Sequence, residues 1–455
     1  MIHKYKLNGY NIVLDVHSNA IHVFDEVAYE IVSDYEELSL TEIAKKYKEQ
    51  FSKEDIKTAY GEIKELVDSG KLYSKDVEAE TLEKVVNRET VVKALCLHIA
   101  HDCNLKCEYC FAEEGEYHGM RSLMTSEVGK KALDLLIEKS GSRKNLEVDL
   151  FGGEPLINFG VVKEIVDYGR ELEKTTNKKF RFTLTTNGTL LKNDDIDYIV
   201  KNMSNVVLSI DGRKEVNDRV RYDYNNKGTY DKIVDVFKEV AEKRNQKDYY
   251  VRGTFTRYNL DFAKDVMHLA DLGFKQISVE PVVTDIEMPY SIREEDLPII
   301  FEEYEKLANM IIESRKDGKW FNFFHFMINL NHGPCLIKRV VGCGAGSEYL
   351  AVTPTGELYP CHQFVGIDEY LLGDVNKGIV NEVTTTEFSA CNIYAKDECR
   401  KCWNKFYCSG GCSANAKQQN DDLYKPYEIG CKMQKKRTEC AIMIKVHELL
   451  EKQSL

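Results

Sequence analysis

The 455-residue sequence contains no uninterrupted apolar run approaching the ~18 residues that a membrane-spanning helix needs, so no membrane span is expected. It also lacks a basic surplus. The 62 Lys and Arg residues stand against 75 Asp and Glu, and the net charge of −13 argues against a general nucleic-acid binder. The opening from Met1 to Lys6 lacks the apolar core of a secretory signal, so the chain is expected to stay in the cytoplasm. No composition extreme is present: 43% apolar and 30% charged residues are ordinary for a globular protein, and the length allows two or three domains. What the chain has in quantity is cysteine, 14 residues in all. In a long chain of a reduced compartment these read as metal ligands sooner than as disulfides.

The first 80 residues read as a small module. Apolar and polar residues alternate over residues 10–14 and 20–24, with turn residues at Asn8-Gly9 and Ser18-Asn19, which predicts a β-hairpin or a three-stranded meander. Helical spacing follows around Val27, Ile31 and Val32. Ser39 and Glu42 form a capping box that opens a second helix. A third begins near Ser52, carries Ile56, Tyr60, Ile63 and Val67 on one face, and ends at Gly70. Lys71-Leu72-Tyr73 then reads as a closing strand. The arrangement resembles a winged helix, and more narrowly the recognition element fused to enzymes that modify ribosomally made peptides. By that resemblance the module would capture a precursor's leader by adding it to an exposed sheet edge. A plain regulatory or dimerisation winged helix is the other reading. Residues 25–42 carry no basic cluster, which argues against a nucleic-acid role. The charged stretch at 75–90 reads as a linker.

Residues 91–310 alternate strands and helices. An apolar run at 91–100 precedes Cys103, Cys107 and Cys110, which sit at a Cys-x3-Cys-x2-Cys spacing with the aromatic Tyr109 before the last of them. Three thiols on one short loop can hold three corners of a four-iron cluster and leave one iron open, whereas most such clusters take four thiolates. Further strand-like runs lie at 146–151, 180–186, 206–210, 249–256 and 276–282, with helical periods such as 129–139 and 230–244 between them. Six such strands imply parallel βαβ units. With the cysteine loop, they resemble the partial (β/α)6 barrel of radical S-adenosylmethionine (SAM) enzymes, whose site lies at the strand C-termini. The resemblance implies that Gly152, Gly153 and Glu154 bind the methionyl amine, Ser209 the SAM ribose, and Arg221 the SAM carboxylate. Thr186-Asn187-Gly188-Thr189 would line the site. A surface arginine among Asp218, Arg219 and Asp223 is the competing reading of Arg221. His98 and His101 read as packed core residues. Gly342-Cys343-Gly344-Ala345-Gly346 imitates a dinucleotide fingerprint, but no strand and helix frame it.

The remaining residues, 311–455, hold a second cysteine array: Cys343, Cys361, then Cys399-x2-Cys402-x5-Cys408-x3-Cys412, then Cys431. The array resembles the SPASM domain, an extension that binds two auxiliary [4Fe-4S] clusters. By the family pattern Cys399, Cys402, Cys408 and Cys431 hold the outer cluster, and Cys343, Cys361 and Cys412 the inner one. Cys335 either completes the inner cluster or leaves it with an open iron. A zinc ribbon on Cys399 and Cys402 would account for four cysteines and leave the others unexplained. Cys96, Cys391 and Cys440 read as packing residues.

Together these features resemble the radical SAM/SPASM maturases of SCIFF peptides, whose products carry thioether cross-links (sactipeptide and ranthipeptide types). The resemblance implies three [4Fe-4S] clusters, SAM cleaved to methionine and a 5′-deoxyadenosyl radical, and a Cys-rich ribosomal precursor peptide as substrate. It also implies a low-potential electron donor such as flavodoxin or ferredoxin. Forming a carbon–sulfur bond from a carbon radical and a thiolate releases an electron, which an auxiliary cluster can accept. Two alternatives stand beside this reading: oxidation of a peptide Ser or Cys, as in anaerobic sulfatase maturation, and a non-catalytic electron-transfer or peptide-binding protein.

Overall fold

The computed structural model describes residues 1–76, 79, 88, 90–330 and 336–453. Most of the expected linker and Cys335 therefore lie outside the described residues.

The chain opens with an antiparallel meander of β1 (Ile2–Leu7), β2 (Tyr10–Asp15) and β3 (Ile21–Phe24), paired in the order β1-β2-β3. Asn8 and Gly9 both take positive φ, as a tight hairpin turn requires. Three helices follow: α1 (Glu26–Ile31), α2 (Leu40–Lys46) and α3 (Lys53–Asp68). The Ser39 backbone N–H donates to Glu42 Oε2 at 2.8 Å and the Glu42 N–H donates back to Ser39 Oγ at 3.4 Å, the reciprocal capping box. One face of the meander, with Val13, packs on Ile31, Ile43, Ile56 and Ile63. Period-two alternation turns Tyr5, Leu7, Ile12 and Leu14 to the opposite face, where they join the core of the rest of the molecule. The expected closing strand at Lys71-Leu72-Tyr73 does not form. Tyr73 sits at φ 52°, incompatible with an extended strand, and its hydroxyl donates to the Val32 carbonyl while Leu72 is buried.

A parallel sheet follows in six βα units. Its strands are β4 (Ala94–His101), β5 (Asn145–Gly152), β6 (Lys179–Thr186), β7 (Asn205–Ser209), β8 (Tyr249–Phe255) and β9 (Gln276–Pro281), hydrogen-bonded in that order. Helices including α4 (Ser126–Lys139), α5 (Phe159–Thr175) and α6 (Asn193–Asn202) cover one face, against Leu146, Val148 and Leu150 and their equivalents. The last helix of the barrel unit, α7 (Leu297–Lys316), continues past the expected boundary at residue 310. The C-terminal part is built into the same sheet: β10 (Tyr349–Val352) pairs parallel with the outer edge of β4, placing Ala351 beside Cys96. This closes an edge that would otherwise expose unpaired backbone groups. The chain ends in a 26-residue helix, α8 (Glu428–Gln453), which runs back along β1 and α7. Among the described residues no helix is long and apolar enough to cross a membrane.

Candidate active site

β4 delivers the cysteine loop to the C-terminal end of the sheet. The loop is held to residues 220–223 by backbone bonds from the Lys106 N–H to the Tyr222 carbonyl (2.8 Å) and from the Glu108 N–H to the Val220 carbonyl (2.9 Å). Cys103, Cys107 and Cys110 face one another closely enough to feel each other's charge. Burial pushes the Cys103 thiol up to about 12, with Glu154 adding to the effect, and lifts Cys107 to about 11 against the pull of Arg221. Thiols so buried are costly to ionise unless a cation neutralises them.

The two glycines after β5 are required by this packing. A Cβ at Gly152, whose φ is 115°, would lie 2.4 Å from the Ala100 carbonyl oxygen, and one at Gly153 would lie 2.1 Å from that of Asp102. Their closeness lets the Gly153 and Glu154 N–H groups bond to the carbonyls of Ala100 and Asp102, both at 2.8 Å, fastening β5 to the root of the cysteine loop. The Glu154 side chain is buried and accepts from the Leu156 N–H (3.0 Å), the Thr186 hydroxyl (2.7 Å) and the Asn187 N–H (2.7 Å). A carboxylate has about four acceptor positions, so one stays available for an ammonium. Asn187 also donates to Asn104 on the loop at 2.9 Å.

Arg221 is not a surface residue. It is 7% exposed, and its Nη1 donates to the Tyr109 hydroxyl at 2.8 Å. Tyr109 in turn donates to Asp211, 2.8 Å from Oδ2, and the Thr254 N–H bonds Oδ1 of the same carboxylate at 2.9 Å. Burial opposes the Arg221 charge, but Tyr109, Cys107 and Asp211 around it keep the guanidinium firmly protonated. Its Nε is buried with no partner. An orphaned donor on a fixed cation beside three thiols is what an anionic ligand group would satisfy. Ser209 ends β7 beside Arg252, half-buried. His98 and His101 are packing residues in this structure, with ring nitrogens 2.9 Å apart and both rings against Tyr117. Burial holds His98 well below the usual imidazole range and brings His101 to about 4, so both are neutral.

Several residues that no sequence pattern pointed to lie on the face of the sheet opposite the helices. Asp149 occupies the register position between Cys96 and Thr183, and burial, with Glu147 adding to it, raises its carboxyl to about 6. Arg252 reaches Glu280 at 3.4 Å, and His325 lies 3.6 Å from Glu280 and 3.3 Å from the Ser278 hydroxyl. His362 packs on Phe111 and Phe151, which joins the second cysteine array to the first. For Asp149, Arg252 and Glu280 the two-residue alternation along each strand carries a faint signal, whereas His325 and His362 lie in short helical turns outside the strands.

The C-terminal cysteines gather in two sets. Cys361 is lifted by burial and by Cys412 and Cys343, and Cys412 in turn feels Cys343. Cys399 is pushed to about 12 by burial, offset in part by Lys396, with Cys408, Cys431 and Cys402 adding to the rise. Cys96, Cys391 and Cys440 are buried, and Cys96 lies near enough to Cys361 to feel its charge. Among the described residues, no three His, Cys, Asp or Glu side chains converge tightly enough for a single metal ion. The donor sets are nonetheless all-thiol, the chemistry that iron–sulfur clusters use. The glycine-rich run at 342–346 is a turn between a short helix and β10, with Gly342, Gly344 and Gly346 at positive φ, and no helix follows it.

Comparison with known proteins matches two stretches of the chain. Residues 97–287 match the radical SAM superfamily, and residues 343–403 match the SPASM iron–sulfur cluster-binding domain. A cysteine-type anaerobic sulfatase-maturating enzyme of Clostridium novyi (strain NT) is 24% identical over 352 residues, 71% of this chain and 89% of that one. A solved structure of anSMEcpe with bound AdoMet and the Kp18Cys peptide has a TM-score of 0.64 and 22% identity, over 77% of this chain and 97% of that one. Streptococcus suis SuiB bound to precursor peptide SuiA has a TM-score of 0.53 and 16% identity, over 93% of this chain and 97% of that one. The chain therefore carries a radical SAM domain, which spans the six parallel strands but for the first few residues of β4, and a SPASM iron–sulfur cluster-binding domain after it.

Proposed function

We propose that this radical SAM protein is a peptide maturase that joins cysteine sulfur to carbon in a Cys-rich ribosomal precursor. When bound, the first cluster and SAM supply a 5′-deoxyadenosyl radical able to take hydrogen from an unactivated carbon. Cys103, Cys107 and Cys110 would hold that cluster. Arg221 Nε would take the SAM carboxylate, the free acceptor position of Glu154 the ammonium, and Ser209 the ribose. Cys343, Cys361 and Cys412 would hold the inner auxiliary cluster, and Cys399, Cys402, Cys408 and Cys431 the outer one, for three [4Fe-4S] clusters in all. The apolar and polar walls around Asp149, Phe151 and Arg252 would exclude water and hold the target carbon in place. Residues 1–80 would bind the leader, 91–310 form the barrel and 311–455 the SPASM part.

The observation that carries this reading is the spatial sorting of the C-terminal cysteines. The set of Cys343, Cys361 and Cys412 is tied to the cysteine loop through His362, which packs on Phe111. A substrate thiol held at that set would lie toward the radical site, on a cluster able to take the electron that bond formation releases. The test is anaerobic incubation of the reconstituted protein with SAM, reductant and a leader-bearing Cys-rich peptide. Release of 5′-deoxyadenosine, with a product two hydrogens lighter and one fewer alkylatable thiol per cross-link, is expected. Cleaved SAM with an unchanged peptide mass overturns the reading.

A second reading, oxidation of a peptide Ser or Cys, is favoured by the likeness to the sulfatase-maturating enzyme. It predicts a product aldehyde that reacts with hydrazides, which a thioether does not.

A further inference from the structure

Behind Glu280, on the side of the sheet facing the second cysteine array, lies a cavity of about 290 Å³ walled by Cys408, Cys412, Cys431, Gln434 and Arg437. Among the described residues of this wall Arg437 is the one fixed cation, on α8, less than two turns after Cys431. Its side chain is 13% exposed. Nη2 donates to Gln434, and Nη1 donates to His325 Nδ1 at 2.9 Å. Since arginine has no acceptor, His325 Nδ1 must be unprotonated, and its proton sits on Nε2 toward Ser278 and Glu280. Burial lowers His325 to about 3, in keeping with a neutral ring. Glu280 Oε2 lies 3.9 Å from Arg437. The third nitrogen, Nε, is buried and has no partner.

A buried guanidinium whose Nε–H is unspent is expensive unless something in the cavity accepts from it. The walls of that cavity offer thiols, and Arg437 already acts on the charge of Cys408. Cluster potentials are governed by net charge and by hydrogen bonds to the sulfurs. We infer that Arg437 sets the reduction potential of the outer auxiliary cluster, holding it high with a positive charge and an Nε–H directed at its sulfurs. Through His325 and Glu280 the same residue reaches the substrate face of the sheet. Arg437 is a positioning residue in this scheme and touches no reacting atom.

The inference rests on the assignment of Cys399, Cys402, Cys408 and Cys431 to one cluster, so the experiment separates the two. Iron and sulfide are counted in the reconstituted wild-type protein and in the double variant Cys408→Ala, Cys431→Ala; a loss of one cluster's iron is required by that assignment, and an unchanged count sinks the assignment itself. EPR-monitored redox titration is then run on wild type, Arg437→Gln and Arg437→Lys. One auxiliary signal should titrate at lower potential in Arg437→Gln and return most of the way in Arg437→Lys, with the SAM-binding cluster unmoved. Arg437→Gln protein with full iron and every midpoint at its wild-type value overturns the inference, and so does an equal fall in all clusters.

Discussion

Tyr109 stands between a buried cation and a buried anion, and its hydroxyl completes both. Replacing it with Phe leaves Arg221 without its Nη1 partner and Asp211 with the Thr254 N–H alone. An unsatisfied buried polar group costs roughly 1–3 kcal/mol. The Tyr109→Phe variant should therefore lose unfolding free energy in that range in a urea titration, with weaker SAM binding by equilibrium dialysis; wild-type values for both would show that the hydroxyl is idle. Asp149 gives a pH test. Burial pushes its folded carboxyl up to about 6 from the ordinary 3.8, so ionisation opposes folding. The penalty is complete above about pH 6 and fades as pH falls toward 4. Asp149→Asn should raise the melting temperature at pH 8, by an effect on the order of 1–2 kcal/mol once partial solvation is allowed for, and lose that advantage toward pH 4. A pH-independent difference would mean that the carboxyl is not perturbed.

Among the elements, the junction of β5 with the cysteine loop has little tolerance. At Gly153 an added methyl would meet the Asp102 carbonyl at 2.1 Å, and that carbonyl belongs to the residue preceding Cys103. Gly153→Ala must push the loop away or break the Glu154–Asp102 backbone bond. The expected outcome is loss of the first cluster, seen as a fall of about one third in iron content if three clusters are present, with the auxiliary signals retained in EPR. Full occupancy in that variant would contradict the packing argument. Gly152, Gly153 and Glu154 were visible in the sequence as a ligand-binding turn. That its glycines first serve a backbone-to-backbone contact with the adjacent strand could not be read there, because β4 and β5 meet only on folding. The same applies to the failed strand at 71–73: its residue types suit a strand, but Tyr73 gains more by turning its hydroxyl to Val32.

At the scale of the molecule, the N-terminal module is no tethered accessory. His3 stacks on Trp403, next to Cys402, with ring centroids 3.7 Å apart, and Asp76 bonds Lys405 and Tyr394 at 2.7 and 2.8 Å. Tyr5, Leu7, Ile12 and Leu14 share a core with Met433 and Met443 of α8. Burying such side chains is worth roughly 1.5–3 kcal/mol each, so removing residues 1–76 should cost on the order of 5 kcal/mol or more and lower the melting temperature of what remains. A truncated chain that melts with the full-length protein would show that the two parts are independent.

The cysteine spacings, the capping box at Ser39 and Glu42 and the alternation of strand and helix periods were legible because each rests on local patterns, read within one loop, one helical turn or one strand. The burial of Arg221, the sorting of seven cysteines into two sets and the arrival of Arg437 beside Glu280 depend on residues brought together from distant parts of the chain. The cysteine loop folded onto residues 220–223 buries Arg221, and the long helix α8 carries Cys431 and Arg437 to their places. The sequence by itself determined which chemistry the protein can host, since thiols at ligand spacing require no fold to be recognised. Only the tertiary structure decided which polar groups lose their water and must find partners in one another, because burial is a property of the packed chain and of no residue alone.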